Sequence, residues 1–373
     1  MPAARERPSH PIDHRPPAML VETLMFVAGL VLLVVGAELT VNGGSRVATT
    51  FGISPLVVGL TVVAFGTSAP ETAVTVGAAL DGRTDIALGN VVGSNIFNIL
   101  LILGLSAVIA PLHVNRQLIR QEVPLMIAVS VLLAGLLLDG GLARIEAAVL
   151  FLLLIAYTVF LVVQARRGQR RGEAEASDTG DPLAGSWLDR VPAPILIVLG
   201  IAGLALGGQW LVDSASAFAR ALGVSELVIG LTVVAIGTSL PEVAASLMAI
   251  IRGQRDMAVG NIVGSNIFNV LCCLGLAGMV SSTGLPAPSA LMRFDIWVMV
   301  ATAACCLPII VSGRRVSRGE GALLLTYCVA YILYTLMAAT HHDALPAFSY
   351  VMAVFVVPLS ALVLLANVLQ GRR

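Results

Sequence analysis

The strongest constraint on the fold is an internal repeat with a constant offset of 171 residues. The segment GISPLVVGLTVVAFGTSAPETAV begins at Gly52 and recurs as GVSELVIGLTVVAIGTSLPEVAA from Gly223. A second segment, GNVVGSNIFNIL from Gly89, recurs at the same offset as GNIVGSNIFNVL from Gly260. About 30 of the 49 aligned positions from 52 to 100 are identical. Self-similarity of this kind indicates two copies of one structural unit.

Hydropathy predicts that these copies lie in a membrane. Mean hydropathy is +0.93 and only 12% of the 373 residues are charged, against roughly 25% in a soluble domain. The apolar runs are continuous rather than alternating, and many approach the ~20 residues that cross a bilayer, so helices are favoured over a barrel. The predicted class is an all-α membrane protein. Its eleven predicted helices cover residues 20–42, 54–80, 86–110, 121–138, 145–164, 191–212, 225–251, 257–281, 294–312, 319–339 and 346–368.

The repeat unit contains five helices, because the offset pairs the fourth predicted helix with the ninth and the fifth with the tenth. An odd number of spans forces the second copy into the opposite orientation, so we expect two inverted five-helix repeats and one extra C-terminal transmembrane helix. The predicted organisation is a disordered leader (1–18), the first repeat (19–164), a cytoplasmic linker (165–190), the second repeat (191–340), and the extra helix with its tail (345–373).

The basic residues predict the orientation in the membrane. All 22 are arginines, and an N-terminus outside places most of them in cytoplasmic loops and the C-terminal tail, as the positive-inside rule requires. This predicts an outside N-terminus and a cytoplasmic C-terminus. The arginines assigned to the cytoplasm are Arg46, Arg116, Arg120, Arg166, Arg167, Arg170, Arg171, Arg190, Arg252, Arg255, Arg314, Arg315, Arg318, Arg372 and Arg373.

The absence of lysine has a functional consequence. A Walker A motif uses a lysine to contact nucleotide phosphates, so this chain is not expected to carry its own ATPase. We expect transport driven by an ion gradient, with no enzymatic activity, no cofactor and no nucleic-acid partner. The five cysteines fall inside predicted helices and are expected to pack as small hydrophobic residues.

The first repeated motif, GTS-x-PE, places a glutamate well inside an apolar helix of each half. A buried carboxylate there is costly and normally marks an ion path, so a cation is expected. The proline supplies no N–H and frees the carbonyl four residues earlier, which adds an oxygen beside the hydroxyl groups. Such hard oxygens suit Ca²⁺, and Na⁺ would accept the same set. The candidate ligands from this motif are Gly66, Thr67, Ser68, Glu71, Gly237, Thr238, Ser239 and Glu242.

The second repeated motif, GNxVGSNIFN, adds neutral oxygens. Ser94 and Asn98 are four residues apart, as are Ser265 and Asn269, so each pair shares a helix face and can reach one ion. Glycines four residues apart permit close contact with the second and seventh helices. The other asparagines, Asn90, Asn95, Asn261 and Asn266, are expected mainly to pack between helices. Four acidic residues near predicted helix ends, Glu38, Asp85, Asp213 and Glu226, are expected to be solvated.

GTSAPE with GNVVGSNIFN, repeated as GTSLPE with GNIVGSNIFN, resembles the alpha repeats of the cation/calcium exchanger superfamily, and within it the sodium/calcium exchanger branch. The resemblance implies a ten-helix core and four ion positions around Glu71 and Glu242. It also implies exchange of three Na⁺ for one Ca²⁺, with the first and sixth helices sliding across the remainder. The further ligands that it implies are Thr67, Ser68, Ser94, Asn98, Thr238, Ser239, Ser265 and Asn269.

One position departs from part of that family, since several relatives, including the potassium-dependent branch, have Asp where this chain has Asn269. Two carboxylates balance one Ca²⁺ and leave no third charge for K⁺, so a K⁺-independent antiporter is expected. Its expected partners are Ca²⁺, Na⁺ and the lipid bilayer of a prokaryotic plasma (inner) membrane, and no oligomeric state is predicted.

Three other functions compete with this interpretation. A Ca²⁺/H⁺ antiporter would use the same two glutamates as proton acceptors, but proton-coupled relatives tend to carry an acidic-plus-His motif, and no His lies in a predicted helix here. An intramembrane hydrolase would need a nucleophile and base, or paired aspartates, which the helices do not supply. A channel that shares the repeat would differ from an exchanger by showing conductance rather than saturable counter-transport.

Overall fold

The computed structural model describes residues 16–170, 191–229, 233, 235–311 and 314–361. Helix is present in each of the eleven predicted segments. The first half contains α1 (Pro16–Phe51), α2 (Pro55–Thr67 and Ala69–Leu80), α3 (Thr84–Ile109), α4 (Leu118–Asp139) and α5 (Arg144–Arg170). The second half contains α6 (Ala193–Ala221), α7 (Glu226–Ile229, Ala235–Gly237 and Leu240–Ile251), α8 (Arg255–Val280), α9 (Leu291–Val311), α10 (Arg318–Ala339) and α11 (Leu345–Ala361).

The fold class is confirmed as an all-α membrane protein. Eight helices of the described chain are long and apolar enough to cross a membrane, and the bent pair that forms α2 makes a ninth span. The last segment of α7 and α11 are shorter apolar helices. The chain is therefore a multi-pass integral membrane protein.

Several predicted boundaries are wrong. α1 and α6 end at Phe51 and Ala221 rather than near 42 and 212, because the polar residues of these stretches are accommodated within the helix. In α1, for example, Asn42 donates to Glu38 one turn earlier. Residues 16–18 belong to α1 and not to a disordered leader, and residues 165–170 extend α5. The rest of the predicted leader, the rest of the linker and residues 362–373 lie outside the described chain.

Two short ladders join the halves reciprocally. The strand after α3, β1 (Leu112–His113), pairs with β4 (Arg315–Val316) after α9. The strand after α4, β2 (Gly141–Leu142), pairs with β3 (Leu285–Pro286) after α8. In each half, the loop between the third and fourth helices therefore pairs with the loop between the fourth and fifth helices of the other half. This exchange is expected for inverted repeats around a pseudo-two-fold axis.

α1 and α6 cross each other through glycines. A Cβ atom at Gly36 would lie 2.7 Å from the carbonyl oxygen of Gly200, and a Cβ atom at Gly207 would lie 2.7 Å from that of Gly29. These contacts are also reciprocal, because 29 pairs with 200 and 36 with 207 at the repeat offset. Only glycine allows the two backbones this close. The two helices form a pair whose other helix contacts in the described chain are mainly with α2 and α7.

α3 and α8 lie at the centre of the bundle, where 72% and 89% of their apolar windows are buried. Glycine spacing explains the packing of α8 on α2, since a Cβ at Gly260 would lie 2.7 Å from Leu56 O and one at Gly264 would lie 2.9 Å from Leu60 O. The predicted close contact of these glycines with the second helix is therefore observed. It brings the polar face of α8 against the broken part of α2.

Candidate functional site

Both GTS-x-PE motifs form helix breaks at the centre of the molecule. The first part of α2 ends at Thr67 and the second part, from Ala69, is bent away by 44°. Proline is in the first turn of the new segment in both halves, where its missing N–H costs no helical hydrogen bond. Glu71 and Glu242 are in the same first turns, so each carboxylate lies near the partial positive charge of a helix N-terminus.

The two glutamates are buried together. Glu71 and Glu242 are each 1% exposed, and their carboxyl groups are close enough to interact electrostatically. Ser68 of the first half donates to Glu242 Oε1 of the second half at 3.2 Å. The motifs that are 171 residues apart in sequence therefore meet at one place.

Unpartnered buried polar atoms concentrate in the two repeated motifs. Within the described chain, twelve buried side-chain oxygen or nitrogen atoms make no well-formed hydrogen bond, and eight of them belong to the predicted ligands. Buried polar groups are nearly always paired in proteins, so this concentration points to a group that the protein itself does not supply. The eight atoms are both carboxylate oxygens of Glu71, both amide atoms of Asn98, Oε2 of Glu242, and the hydroxyl oxygens of Ser94, Ser239 and Ser265.

The two threonines differ from that group. Thr67 is fully buried, and its hydroxyl donates to Asn261 Oδ1 at 3.2 Å, so it links α2 to α8. Thr238, at the matching position, is half-buried and also has an interaction partner. Both lie beside the carboxylates in sequence, and their role as ligands stays a prediction.

Gly66 and Gly237 contact α6. A Cβ at Gly66 would lie 2.1 Å from Ile201 Cδ1, and one at Gly237 would lie 2.0 Å from Val212 Cγ2. A larger residue at either position would therefore have to displace the facing α6 side chain. The carbonyl oxygens of these glycines stay predicted ligands.

The four asparagines that were expected to pack all have hydrogen-bond partners. Asn90 donates to Thr75 at 3.0 Å, and Asn261 donates to Ser246 at 3.0 Å. These bonds are repeat-equivalent, since each position differs by the same offset. Asn95 links the two halves, because it donates to the Asn266 backbone oxygen at 3.2 Å. Asn266 bonds within its own helix, where it donates to Ile262 O at 2.8 Å.

Asn98 and Asn269 each begin a π-helical turn, Asn98–Leu103 in α3 and Asn269–Leu274 in α8. Such turns widen a helix locally and occur frequently at functional sites. No sequence pattern predicted these turns. The turn from Asn98 packs against the segment of α7 that carries Glu242, and the turn from Asn269 packs against the segment of α2 that carries Glu71.

The site is not symmetric in its hydrogen bonds. The bond from Ser68 to Glu242 has no counterpart from Ser239 to Glu71, within the described residues. Asn269 donates to Asn95 Oδ1 at 3.1 Å, whereas Asn98 has no partner there. Glu71 and Asn98 therefore carry four of the eight unpartnered ligand atoms, whereas Glu242 carries one and Asn269 none.

Glu38 was expected to be solvated, and this prediction is wrong. Its side chain is only 19% exposed and pairs with Arg252 at the end of α7 through both carboxylate oxygens. Because α1 continues past the predicted end, Glu38 lies within the helix and against the core. The ion pair fixes α1 to α7.

Two further carboxylates inside the bundle were missed, the buried Glu122 and the half-buried Asp295. Glu122 in α4 accepts a hydrogen bond from Tyr157 of α5 at 2.7 Å, and Asp295 in α9 accepts one from Tyr331 of α10 at 3.0 Å. Each carboxylate ends a π-helical turn at the start of its helix. In both halves the sequence has an acidic residue in the fourth helix and a tyrosine in the fifth, and this repeated pair could have predicted the contact. These pairs tie neighbouring helices together away from the central site.

The chemistry of the central site favours hard cations. The two repeated motifs bring buried carboxylate, amide and hydroxyl oxygens into the same part of the bundle, and oxygens of these kinds are the donor set of Ca²⁺. In the described chain no group of three or more His, Cys, Asp or Glu side chains is assembled. Soft nitrogen or sulfur ligation, as in transition-metal centres, is therefore not built there.

Comparisons with known proteins agree with this chemistry. A family model described as sodium/calcium exchanger protein matches residues 21–163 and 192–339, which correspond to the two halves. The putative antiporter CaxA of Alkalimonas amylolytica is 42% identical over 322 residues, covering 84% of this chain and 98% of that protein. The sodium/calcium exchanger MaX1 of Methanosarcina acetivorans is 32% identical over 347 residues, with the same two shares.

Solved structures agree as well. A structure of the sodium-calcium exchanger NCX_Mj matches with a TM-score of 0.71 and 32% identity, covering 84% of this chain and 98% of that one. The similarity thus extends across both repeats and along nearly the whole length of these relatives. This integral membrane chain belongs to the sodium/calcium exchanger family of cation/Ca²⁺ antiporters.

Proposed function

We propose that the chain is a secondary active antiporter that exchanges Na⁺ for Ca²⁺ across a prokaryotic plasma (inner) membrane. The observation that carries the proposal is the pair Glu71 and Glu242, both 1% exposed and adjacent at the centre of the bundle. Two buried carboxylates without a cation would repel each other and be poorly solvated. One Ca²⁺, or two Na⁺ ions, balances their charge, which allows the two cations to compete for one site.

The proposed ligands are those with buried oxygens near the carboxylates. Ser94, Asn98, Ser239 and Ser265 provide neutral oxygens without protein partners in the described chain. Thr67, Ser68, Thr238 and Asn269 complete the side-chain set, and the carbonyl groups of Gly66 and Gly237 add backbone oxygens. Na⁺ and Ca²⁺ are the transported substrates.

Alternating access would use the pseudo-two-fold arrangement. Reciprocal contacts between the halves mean that a movement closing one side has a counterpart that opens the other. The glycine-packed pair α1 and α6 is the natural moving unit, since its helix contacts with the rest of the described chain are mainly with α2 and α7. Arginine distribution supports an outside N-terminus, so the end of α7 near Arg252 faces the cytoplasm.

We also propose that K⁺ is not required. Asn98 and Asn269 are neutral, so the site holds two negative charges and Ca²⁺ balances both. A third carboxylate at either position would leave one charge for a monovalent cation. Ca²⁺ uptake that needs added K⁺ would contradict this part of the proposal.

The decisive experiment is ⁴⁵Ca²⁺ uptake into sodium-loaded proteoliposomes. Wild-type protein should take up Ca²⁺ when external Na⁺ is low, while Glu71→Gln and Glu242→Gln should lose uptake. Each carboxylate pairs with the bound cation, and removing one partner of a buried ion pair costs about 3–5 kcal/mol, which corresponds to roughly a 10²- to 10⁴-fold weaker site. The matched control is Asp85→Asn, since Asp85 is an exposed carboxylate at the start of α3.

The same vesicles separate Na⁺ from H⁺ coupling. A proton gradient imposed without Na⁺ should not drive ⁴⁵Ca²⁺ uptake, and a Na⁺ gradient should do so at equal pH on both sides. Uptake that follows the pH gradient and ignores Na⁺ would replace the proposal by a Ca²⁺/H⁺ antiporter. Unchanged Na⁺-driven uptake in both glutamate variants would remove its central claim.

A further inference from the structure

A large apolar groove lies between α9, α10 and α11, and we call it the roofed groove. Its volume is about 860 Å³. Val298, Ala301 and Cys305 of α9 form one wall, Leu323 and Ala330 of α10 form the other, and Met352 of α11 covers it. α11 lies outside the family-model match, which ends at residue 339, so the cover is an addition to the exchanger core.

The first half contains the equivalent groove without a cover, which we call the open groove. It lies between α4 and α5 and has a volume of about 470 Å³. When α4 and α9 are aligned from their first residues, Leu118 and Leu291, Ala128 of this groove corresponds to Ala301 of the roofed groove. The same alignment of α5 with α10 pairs Ala156 with Ala330. The residues lining the open groove all lie on α4, α5 and α8. The two grooves therefore have matching walls and differ in their cover.

α11 covers the roofed groove without filling the space between itself, α9 and α10. The polar link is a hydrogen bond from Tyr327 of α10 to the Val356 carbonyl oxygen at 3.2 Å. The other lining groups are almost entirely apolar, and Thr302 and Ser349, two of the lining hydroxyls, are bonded to their own helix backbones. Water gains few hydrogen bonds in such a space. Acyl chains of the surrounding bilayer are the apolar material available to fill it.

The two ends of the roofed groove differ in chemistry. At one end Phe294 stacks on Tyr334 with ring centroids 3.8 Å apart, and Tyr331 lies beside them. At the other end the connection from α9 to α10 carries Arg314, Arg315 and Arg318, all exposed. Arg318 starts α10 five residues before Leu323, so it lies about 7.5 Å along the helix from the groove wall.

We propose that the roofed groove is a binding site for an anionic phospholipid. One acyl chain lies between α9, α10 and α11, and the phosphate group contacts the arginine cluster Arg314, Arg315 and Arg318. Basic groups beside a groove between transmembrane helices are suited to anionic headgroups, and each arginine near the phosphate contributes about a fivefold preference. This site is separate from the ion site and does not depend on the transported ions.

The test is photo-crosslinking of full-length protein in proteoliposomes, with phosphatidylglycerol or phosphatidylcholine that carries a diazirine in one acyl chain. Crosslinked peptides are mapped by mass spectrometry. Phosphatidylglycerol should label α9–α11 more strongly than phosphatidylcholine does, by tenfold or more on the arginine preferences above. Replacing the three arginines by glutamine should reduce labelling by phosphatidylglycerol to the level of phosphatidylcholine.

Repeat symmetry supplies the matched control. Ala301→Phe with Ala330→Phe fills the roofed groove and should abolish the labelling of α9–α11, whereas Ala128→Phe with Ala156→Phe fills the open groove and should leave that labelling unchanged. Where the phenylalanine pair reduces the yield of monodisperse protein, Ala301→Leu alone should still lower the labelling. Equal labelling of both grooves without a headgroup preference would overturn the proposal, as would crosslinks from this groove to a second copy of the chain.

Discussion

Exchange of a single amide for a carboxylate should affect the two halves differently. Asn269 Nδ2 donates to Asn95 Oδ1 at 3.1 Å, whereas neither amide atom of Asn98 has a partner in the described chain. Asn269→Asp removes the donor and places a carboxylate oxygen against an amide oxygen. Rotation of the Asn95 amide cannot repair this contact without losing its bond to the Asn266 backbone at 3.2 Å. Asn98→Asp introduces the same charge and breaks no hydrogen bond.

The magnitude follows from those contacts. Loss of one buried hydrogen bond that leaves its partner unsatisfied costs about 1–3 kcal/mol. Both variants also carry the cost of a third buried negative charge, which cancels when they are compared. Asn269→Asp should therefore be less stable than Asn98→Asp by about 1–3 kcal/mol, although the two substitutions are identical in chemistry and equivalent in sequence.

Thermal unfolding in detergent without Ca²⁺ measures the difference, and ⁴⁵Ca²⁺ flux with and without K⁺ measures its functional consequence. The third carboxylate should make uptake by both variants depend on K⁺, because Ca²⁺ then leaves one negative charge unbalanced. Asn98→Asp should retain the greater stability. Equal stability of the two variants would refute the structural asymmetry, and uptake that is indifferent to K⁺ in both would refute the charge-balance argument.

Three other substitutions, two of them with a matched control, have definite expected outcomes. Arg252→Gln removes the ion pair that fixes α1 to α7 and should change the rate of ⁴⁵Ca²⁺ exchange more than Ca²⁺ affinity measured by calorimetry, whereas its repeat-equivalent control Asp81→Asn should change neither. Gly36→Ala places a Cβ 2.6 Å from a backbone nitrogen of α6 and should lower stability by about 1–3 kcal/mol through overpacking. Gly77→Ala meets no described atom within 4 Å and should leave the melting temperature unchanged or raised. Tyr157→Phe removes a 2.7 Å hydrogen bond to a buried carboxylate and should destabilise by about 1–3 kcal/mol, and a melting temperature equal to that of wild type would contradict the role given to this bond.

Much of the architecture could be predicted because its signals repeat. The offset between Gly52 and Gly223 revealed the two halves, and continuous apolar runs revealed the spans. The ends of α1 and α6 could not be predicted from hydropathy, since polar residues such as Asn42 bond within the helix and the helix continues through them. Helix ends depend on where side chains find partners, and a hydropathy profile carries no such information.

The candidate site was partly accessible in the same way. A glutamate inside an apolar helix is expensive wherever it lies, so Glu71 and Glu242 could be identified without a structure. Glu122 and Glu38 were missed or misassigned because their partners, Tyr157 and Arg252, are 35 and 214 residues away. A local pattern cannot reveal a hydrogen bond between distant segments.

The asymmetry of the site has a consequence for its mechanism. Two nearly identical sequence motifs produce one glutamate that already accepts a hydrogen bond from the other half, Glu242, and one that accepts none from the described chain, Glu71. A pseudo-two-fold transporter must exchange the environments of its halves when access alternates. The bond from Ser68 to Glu242 and a bond from Ser239 to Glu71 would then belong to the two alternate states of the transporter. In the opposite-facing state we expect the second bond to form and the first to break.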